Sequence, residues 1–423
     1  MSTGLALLDG LLASILGNQA SFALLDARAS KNELAVALQV AEELIGAPRR
    51  AVWVTNGPGA MFSLPQPEPG TAVVSDRAIE YTSRIREVLL SHAPVDRLAQ
   101  TAHQAFLTIA SEEALQQGHA ELAIKALAVS VVDGPPSSVP IDESATHYQE
   151  ASPLGSLATR CFGLLHELGH LAPSEDYGHL ASDDAIMRSL DWALRNWLLQ
   201  AETLGDAWER ARARPQSSVI GVEHLASEVW ADLFATDALL RAAARMQSRP
   251  GEPLEWGDFI REAHAAQQAV VVFDRIRRAV ALGSSPAPTR DNAIEMALQP
   301  VSIAVRNLAQ QEFVVSELMV EIAVEGRTSD TVDLNRERRF VHDSLRPLEA
   351  SYRVLDATLD KAIDFVLTRH RQADSHVLQE RLATAVRSSK EAARLVERFL
   401  VVADGLGHSA STTLALRSII EHP

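Results

Sequence analysis

The chain has 423 residues, 47% hydrophobic and 22% charged, the balance of a globular protein with a sizeable core, which excludes large-scale disorder. Its formal charge of −16 makes the surface repel nucleic acid and anionic lipid, so no nucleic-acid partner is expected. Aromatic residues make up only 5% and alanine is abundant, a composition that favours closely packed helices over large sheets.

An apolar stretch from Leu5 to Leu16 is interrupted by Asp9, lacks a basic flank and is too short to span a bilayer. No membrane insertion is expected, and the cytoplasm is the simplest location. Cys161 is the only cysteine, so no internal disulfide can form.

In chain order, residues 1–92 read as a mixed α/β portion. A helical period runs from Leu34 to Ile45 and is stopped by Gly46 and Pro48. The β-branched runs Ala51 to Thr55 and Thr71 to Ser75 predict two short strands separated by a Gly/Pro-rich loop. Asp76 is then expected to cap a helix reaching about Ser91. From Pro94 onward the pattern is nearly all helical. One or two helices cover Val95 to Val131, and Asp133 to Pro140 is a clear loop. Ser152-Pro153 opens the next helix, with proline at its first position. Further helices are expected at about Asp183 to Ala213, Ser217 to Met246, Leu254 to Leu282, Asp291 to Val324, Asn335 to His370 and His376 to Ala403. The fold class is therefore mainly α with a small α/β portion. The organisation is an N-terminal portion (1–92), a helical core (93–250) that holds the chemistry-bearing residues, and a C-terminal helical domain (251–423).

Residues 166–170 read HELGH. On a helix, positions four apart share a face, so His166 and His170 can turn both imidazoles toward one cation. Glu167 can then set a carboxylate against a water on that ion, the HExxH arrangement. The flanking residues are apolar, so the helix is expected to be buried. Gly163 and Gly169 each weaken it by about 1 kcal/mol relative to alanine, a cost that makes sense where another segment must come close. Two histidines leave zinc under-coordinated. Residues 221–235, GVEHLASEVWADLFA, place Glu228 and Asp232 four apart on a second helix. Glu228 can be the third ligand, and Asp232 can accept the free ring N–H of a ligating histidine and fix its aim.

These two segments together resemble the gluzincin peptidases, in which HExxH lies on one helix and the glutamate of an E-x-x-x-D pattern comes from a later one. The EVWADLFA context is most similar to the version found in CAAX-processing and heat-shock membrane peptidases and in ImmA/IrrE-type regulatory peptidases. The resemblance covers residues 160–235. It implies a zincin-like core, zinc bound by His166, His170 and Glu228, Glu167 as general base, and a protein or peptide substrate. Residues 56–76, NGPGAMFSLPQPEPGTAVVSD, are similar to the segment and edge strand that precede the active-site helix in the membrane group, where an edge strand takes substrate as an added strand. Here residues 76–165 intervene, and the membrane helices of that group are missing.

Among supporting residues, His224 lies four before Glu228 and shares its helix face, as a fourth ligand that would close the site, an oxyanion stabiliser or a residue at the rim of the site. Tyr177 and His179, in the segment after HELGH, are alternative donors to a developing oxyanion. Cys161 reads as a small buried apolar residue, and Trp192, Trp197 and Trp208 as helix core. The lone Asn56-to-Gly59 turn is no phosphate loop. The expected activity is zinc-dependent peptide hydrolysis. The alternatives are a non-catalytic zinc-binding regulator and a helical interaction protein in which HELGH is coincidental.

Overall fold

The computed structural model describes residues 2–16, 21–25, 33–47, 49–55, 57, 59–66, 70–91, 93–132, 153–172, 181–182, 184–189, 222–246, 256–284, 299, 302–315, 334–406 and 410–421. The protein is mainly helical with one small four-stranded sheet. The strands are β1 (Ser21–Leu24), β2 (Arg50–Thr55), β3 (Met61–Leu64) and β4 (Thr71–Ser75), in spatial order β1-β2-β4-β3. The two expected strands, β2 and β4, are the parallel central pair, with Val52 opposite Val73. Two further strands, β1 and β3, flank them antiparallel. The four-residue run of β3 is enclosed by Gly59 and Pro65, which disguise it as part of a loop.

β4 is buried along its whole length, and the continuous run Ala72-Val73-Val74 explains why. On one face Val73, with Val52 and Val54, packs beneath Leu8, Leu12 and Leu16 of α1 (Ser2–Leu16). The other face, through Ala51, Ala72 and Val74, joins the main core with α2 (Glu33–Ile45), α3 (Asp76–Leu90) and α6 (Pro153–Gly169). α3 starts one position earlier than expected. Ser75 is its cap, and its hydroxyl accepts from the Ala78 N–H at 3.1 Å, while Asp76 is the first helical residue and accepts from the Trp53 indole.

The remaining helices are α4 (Val95–Gln116), α5 (Ala120–Val132), α7 (Val222–Met246), α8 (Trp256–Gly283), α9 (Leu334–Leu367), α10 (Ser375–Ser388), α11 (Lys390–Gly405) and α12 (Ala410–Glu421), together with helical residues 302–315. The expected single helix from His376 to Ala403 is two helices. Ser389 is extended (φ −139°, ψ 121°) and its hydroxyl caps the second one at Ala392. The expected loop Asp133 to Pro140, most of the expected helix Asp183 to Ala213, and Trp192, Trp197 and Trp208 lie outside the described residues. Helices from both sides of residue 250 contribute to one hydrophobic core. Among the described residues no helix is long and apolar enough to cross a membrane.

α6 and α7 form the pair on which the site is built. Their approach is set by Gly169, where a Cβ would lie 2.8 Å from the Cα of Ala231 and 3.2 Å from the Cβ of Phe234. The Trp230 indole N–H donates to the Gly169 carbonyl at 2.7 Å and locks the crossing. Gly163, one and a half turns earlier, gives room to Met61 of β3, whose Sδ would meet a Cβ there at 2.4 Å. Both glycines suspected from sequence are thus places of close approach. Gly169→Ala should lower stability by about 1–3 kcal/mol through overpacking, despite its better helix propensity. Gly10→Ala, exposed in α1 with no atom within 4 Å of the added methyl, should raise stability by up to about 1 kcal/mol. Urea unfolding midpoints of the two variants should move in opposite directions.

Candidate metal centre

The end of α6 delivers HELGH into the angle between α6 and α7. His170 is still held by the helix ladder, its N–H donating to the His166 carbonyl at 3.3 Å. The two histidine rings therefore lie one turn apart and meet edge to face, with centroids 4.8 Å apart and planes at 88°. Their Nε2 atoms stand 3.2 Å apart. With metal–nitrogen bonds of about 2.0–2.1 Å, that separation corresponds to an angle of about 100° at a shared cation, close to tetrahedral. Glu228 enters from α7, with Oε2 3.5 Å from His166 Nε2 and Oε1 3.7 Å from His170 Nε2. Ligand atoms of His166, His170 and Glu228 all lie within 4.8 Å of one another. Two imidazole nitrogens and a carboxylate, partly buried and mutually within reach, can hold a metal ion. The donor set suits zinc or another borderline divalent ion, and does not choose among them.

Each imidazole is aimed by a partner on its other nitrogen. His166 Nδ1–H donates to Asp232 Oδ1 at 2.9 Å, and His170 Nδ1 shares a hydrogen bond with Ser227 Oγ at 3.0 Å. These bonds aim both Nε2 atoms inward. Burial alone opposes charge on His166, but its hydrogen bonds to Asp232 and Glu228 outweigh that and raise it to about 10. His170 has no comparable carboxylate bond, so burial and the neighbouring His166 charge lower it to about 4.

The carboxylates of α7 are tied to a residue far along the chain. Arg306, 6% exposed, donates from Nε to Asp232 Oδ2 at 2.6 Å and from Nη2 to Asp232 Oδ1 at 2.8 Å, while its Nη1 lies 3.0 Å from Glu228 Oε2. Gln267 of α8 adds a bond to Asp232 Oδ2 at 2.8 Å. Burial pushes both carboxylates toward their neutral forms, and the Arg306 guanidinium overrides it, holding Asp232 near 2 and Glu228 well below the usual range. A second layer continues outward. Thr236 donates to the Asp232 carbonyl at 2.8 Å and accepts from Gln310 at 3.0 Å, and Gln310 in turn meets His264 at 2.7 Å.

Glu167 is 9% exposed, and burial raises its carboxyl to about 7, against the pull of His166. Asp274 and Arg277 of α8 also act on it. His224 lines a small cleft together with Glu228, Asp274, Arg278 and Arg306. Its Nε2 is 3.7 Å from Glu228 Oε1, and its side chain is 37% exposed. Cys161 is fully buried in the core of α6, and burial pushes its thiol far above the ordinary range. Tyr177 and His179 lie outside the described residues. The geometry thus brings together His166, Glu167, His170, His224, Glu228 and Asp232. Ser227, Gln267 and Arg306 are participants that the sequence reading did not name, and two of them come from beyond residue 250. The available signal was an arginine and a glutamine on an otherwise apolar stripe, Ile303, Arg306, Gln310 and Phe313, where polar side chains need buried partners.

Compared with protein-family models, curated proteins and solved structures, the chain matches none of them. The class defined by fold and site is a mainly helical protein with a three-residue candidate metal centre between two helices.

Glu228→Ala should abolish stoichiometric retention of a divalent metal ion, measured by elemental analysis after dialysis. Arg306→Ala leaves two buried carboxylates without their cation. It should weaken metal binding by about 10–100-fold in competition with a chelator and cost about 3–5 kcal/mol of stability.

Proposed function

We propose that the chain is a zinc-dependent peptidase with a gluzincin-like centre. The observation that carries this reading is the convergence of His166, His170 and Glu228, with Glu167 beside them on the same helix. Zinc held there would acidify a water and polarise a carbonyl oxygen. Glu167 takes one proton from the attacking water as its oxygen adds to the peptide carbon. It returns that proton to the amine nitrogen as the C–N bond breaks. Asp232 and Ser227 keep the two imidazoles aimed, and Arg306 keeps Glu228 ionised and in place. His224, half-exposed on the cleft side of Glu228, is the described residue best placed to donate to the developing oxyanion.

Substrate access is supported by the sheet. Ala60 faces β4, since its carbonyl accepts from Ser75 N at 2.9 Å and its N–H donates to Ser75 Oγ at 2.8 Å. Alternation along the strand then turns the backbone groups of Met61 and Ser63 outward from β3, the outer strand of the sheet among the described residues. β3 lies against α6 through Met61 and Gly163, so a peptide added to this edge runs beside the candidate centre. The substrate class is an extended, locally unfolded polypeptide segment.

Glu167→Gln should retain zinc at wild-type stoichiometry while turnover of an unstructured protein such as casein falls by about 10³-fold or more. Retained cleavage in that variant would sink the mechanism. Zinc content with no cleavage by wild type would leave a zinc-binding regulator, and a zinc-free protein whose stability ignores His166→Ala would leave an interaction protein.

A further inference from the structure

Arg277, on α8, is used by none of the roles above, yet it stands where the edge of the sheet meets the candidate centre. Three neighbours aim its guanidinium. Cζ lies over the Phe273 ring, 5.7 Å from its centroid and one turn earlier on the helix. Nε is 3.8 Å from Oε2 of Glu113 on α4. Nη1 donates to the outward carbonyl of Met61 at 3.5 Å. The side chain is 34% exposed, so its charged end reaches solvent, and its field acts on Glu167.

Glu113 faces it from within. That carboxyl is 2% exposed, and its Oε1 has no hydrogen-bond partner among the described residues. Gly59 makes the space, because a Cβ there would come within 2.6 Å of the same oxygen. Burial raises Glu113 to about 8, with Arg277 pulling the other way. The guanidinium therefore rests over the Phe273 ring, with only long contacts at its Nε side (3.8 Å to Glu113) and its Nη side (3.5 Å to Met61). A bond of 3.5 Å is at the outer limit for N–H···O, well beyond the optimum near 2.9 Å, so the donor is held in place but poorly satisfied.

A strand pairing with β3 competes for that same Met61 carbonyl, and it brings carbonyl oxygens of its own to the level of the guanidinium. We propose that Arg277 is a substrate-positioning residue, passing its donor from the Met61 carbonyl to a backbone carbonyl of the extended peptide that pairs with β3. The inference rests on the peptidase reading for the identity of the ligand and extends it to the residue that sets the register of the peptide against Glu167. The acceptor is an internal carbonyl, the group that Arg277 already meets in the free protein. A terminal carboxylate is the rival acceptor.

The test uses the zinc-loaded full chain and internally quenched decapeptides of mixed sequence, made with amidated and with free C-termini. Arg277→Gln should raise KM for the amidated set by about tenfold or more, the value of one charge-assisted hydrogen bond, with kcat changed by less than about threefold. Arg277→Lys keeps the charge without the fork and should fall between the two. Zinc content and the unfolding midpoint serve as checks that both variants fold. An unchanged KM in Arg277→Gln, a loss in kcat alone, or an effect confined to free C-termini would each overturn the assignment. If wild type cleaves nothing, fluorescence anisotropy of the same amidated peptides decides. Weaker binding to Arg277→Gln keeps the positioning role and removes the hydrolase reading, and equal binding overturns the role.

Discussion

A single buried arginine reconciles the charges on which the candidate centre depends. Glu228 and Asp232 sit one turn apart on α7, and two carboxylates at that spacing in a low-dielectric interior repel each other. Arg306 spans both, with a forked pair of bonds to Asp232 and a third contact to Glu228. The planar guanidinium is suited to this because it presents several donors in one rigid plane. Its effect reaches the histidines, since Asp232 can orient His166 only while it stays ionised and still. Burying such a group is costly, and the return is geometric: three ligands from two helices arrive with their lone pairs converging.

Close packing supplies what charge alone does not. The absent side chain at Gly169 brings the backbone of α7 against α6, and the Trp230 indole fastens the two at that point. His170 is the next residue after Gly169, and Glu228 lies two before Trp230, so the fastening is within one turn of both ligands. Gly163 does the corresponding work for the sheet by seating Met61 on α6. The candidate centre and the outer edge of β3 are thereby referred to the same rigid helix, as the proposed peptidase reading requires.

Much of this was legible in the amino-acid sequence because it is local. The four-residue spacings of His166 with His170 and of Glu228 with Asp232 state their own geometry, whatever the rest of the fold does. The helix that starts at Pro153 and the buried run of β4 announce themselves through a cap and a continuous apolar segment. The missed elements are those decided by tertiary contact. β3 is four residues between breakers, and only its pairing with β4 makes it a strand. The break at Ser389 is set by one hydroxyl–amide bond in a sequence otherwise periodic as a helix. Arg306 lies 74 residues beyond Asp232, and nothing in its own neighbourhood names the carboxylate it will meet.

That separation has a consequence for how the molecule comes into being. Residues 166, 228 and 306 meet only through contacts that are remote along the chain, so their assembly belongs to the slower, topology-limited part of folding. During synthesis from the N-terminus, α6 and α7 can emerge and collapse together while the cation that neutralises their carboxylates is still unmade. A nascent chain shorter than about 306 residues thus carries the two histidines without the clamp that sets Glu228. Maturation of the centre coincides with completion of the helical layer behind it, and a truncated product would be left with its reactive groups uncoordinated in space.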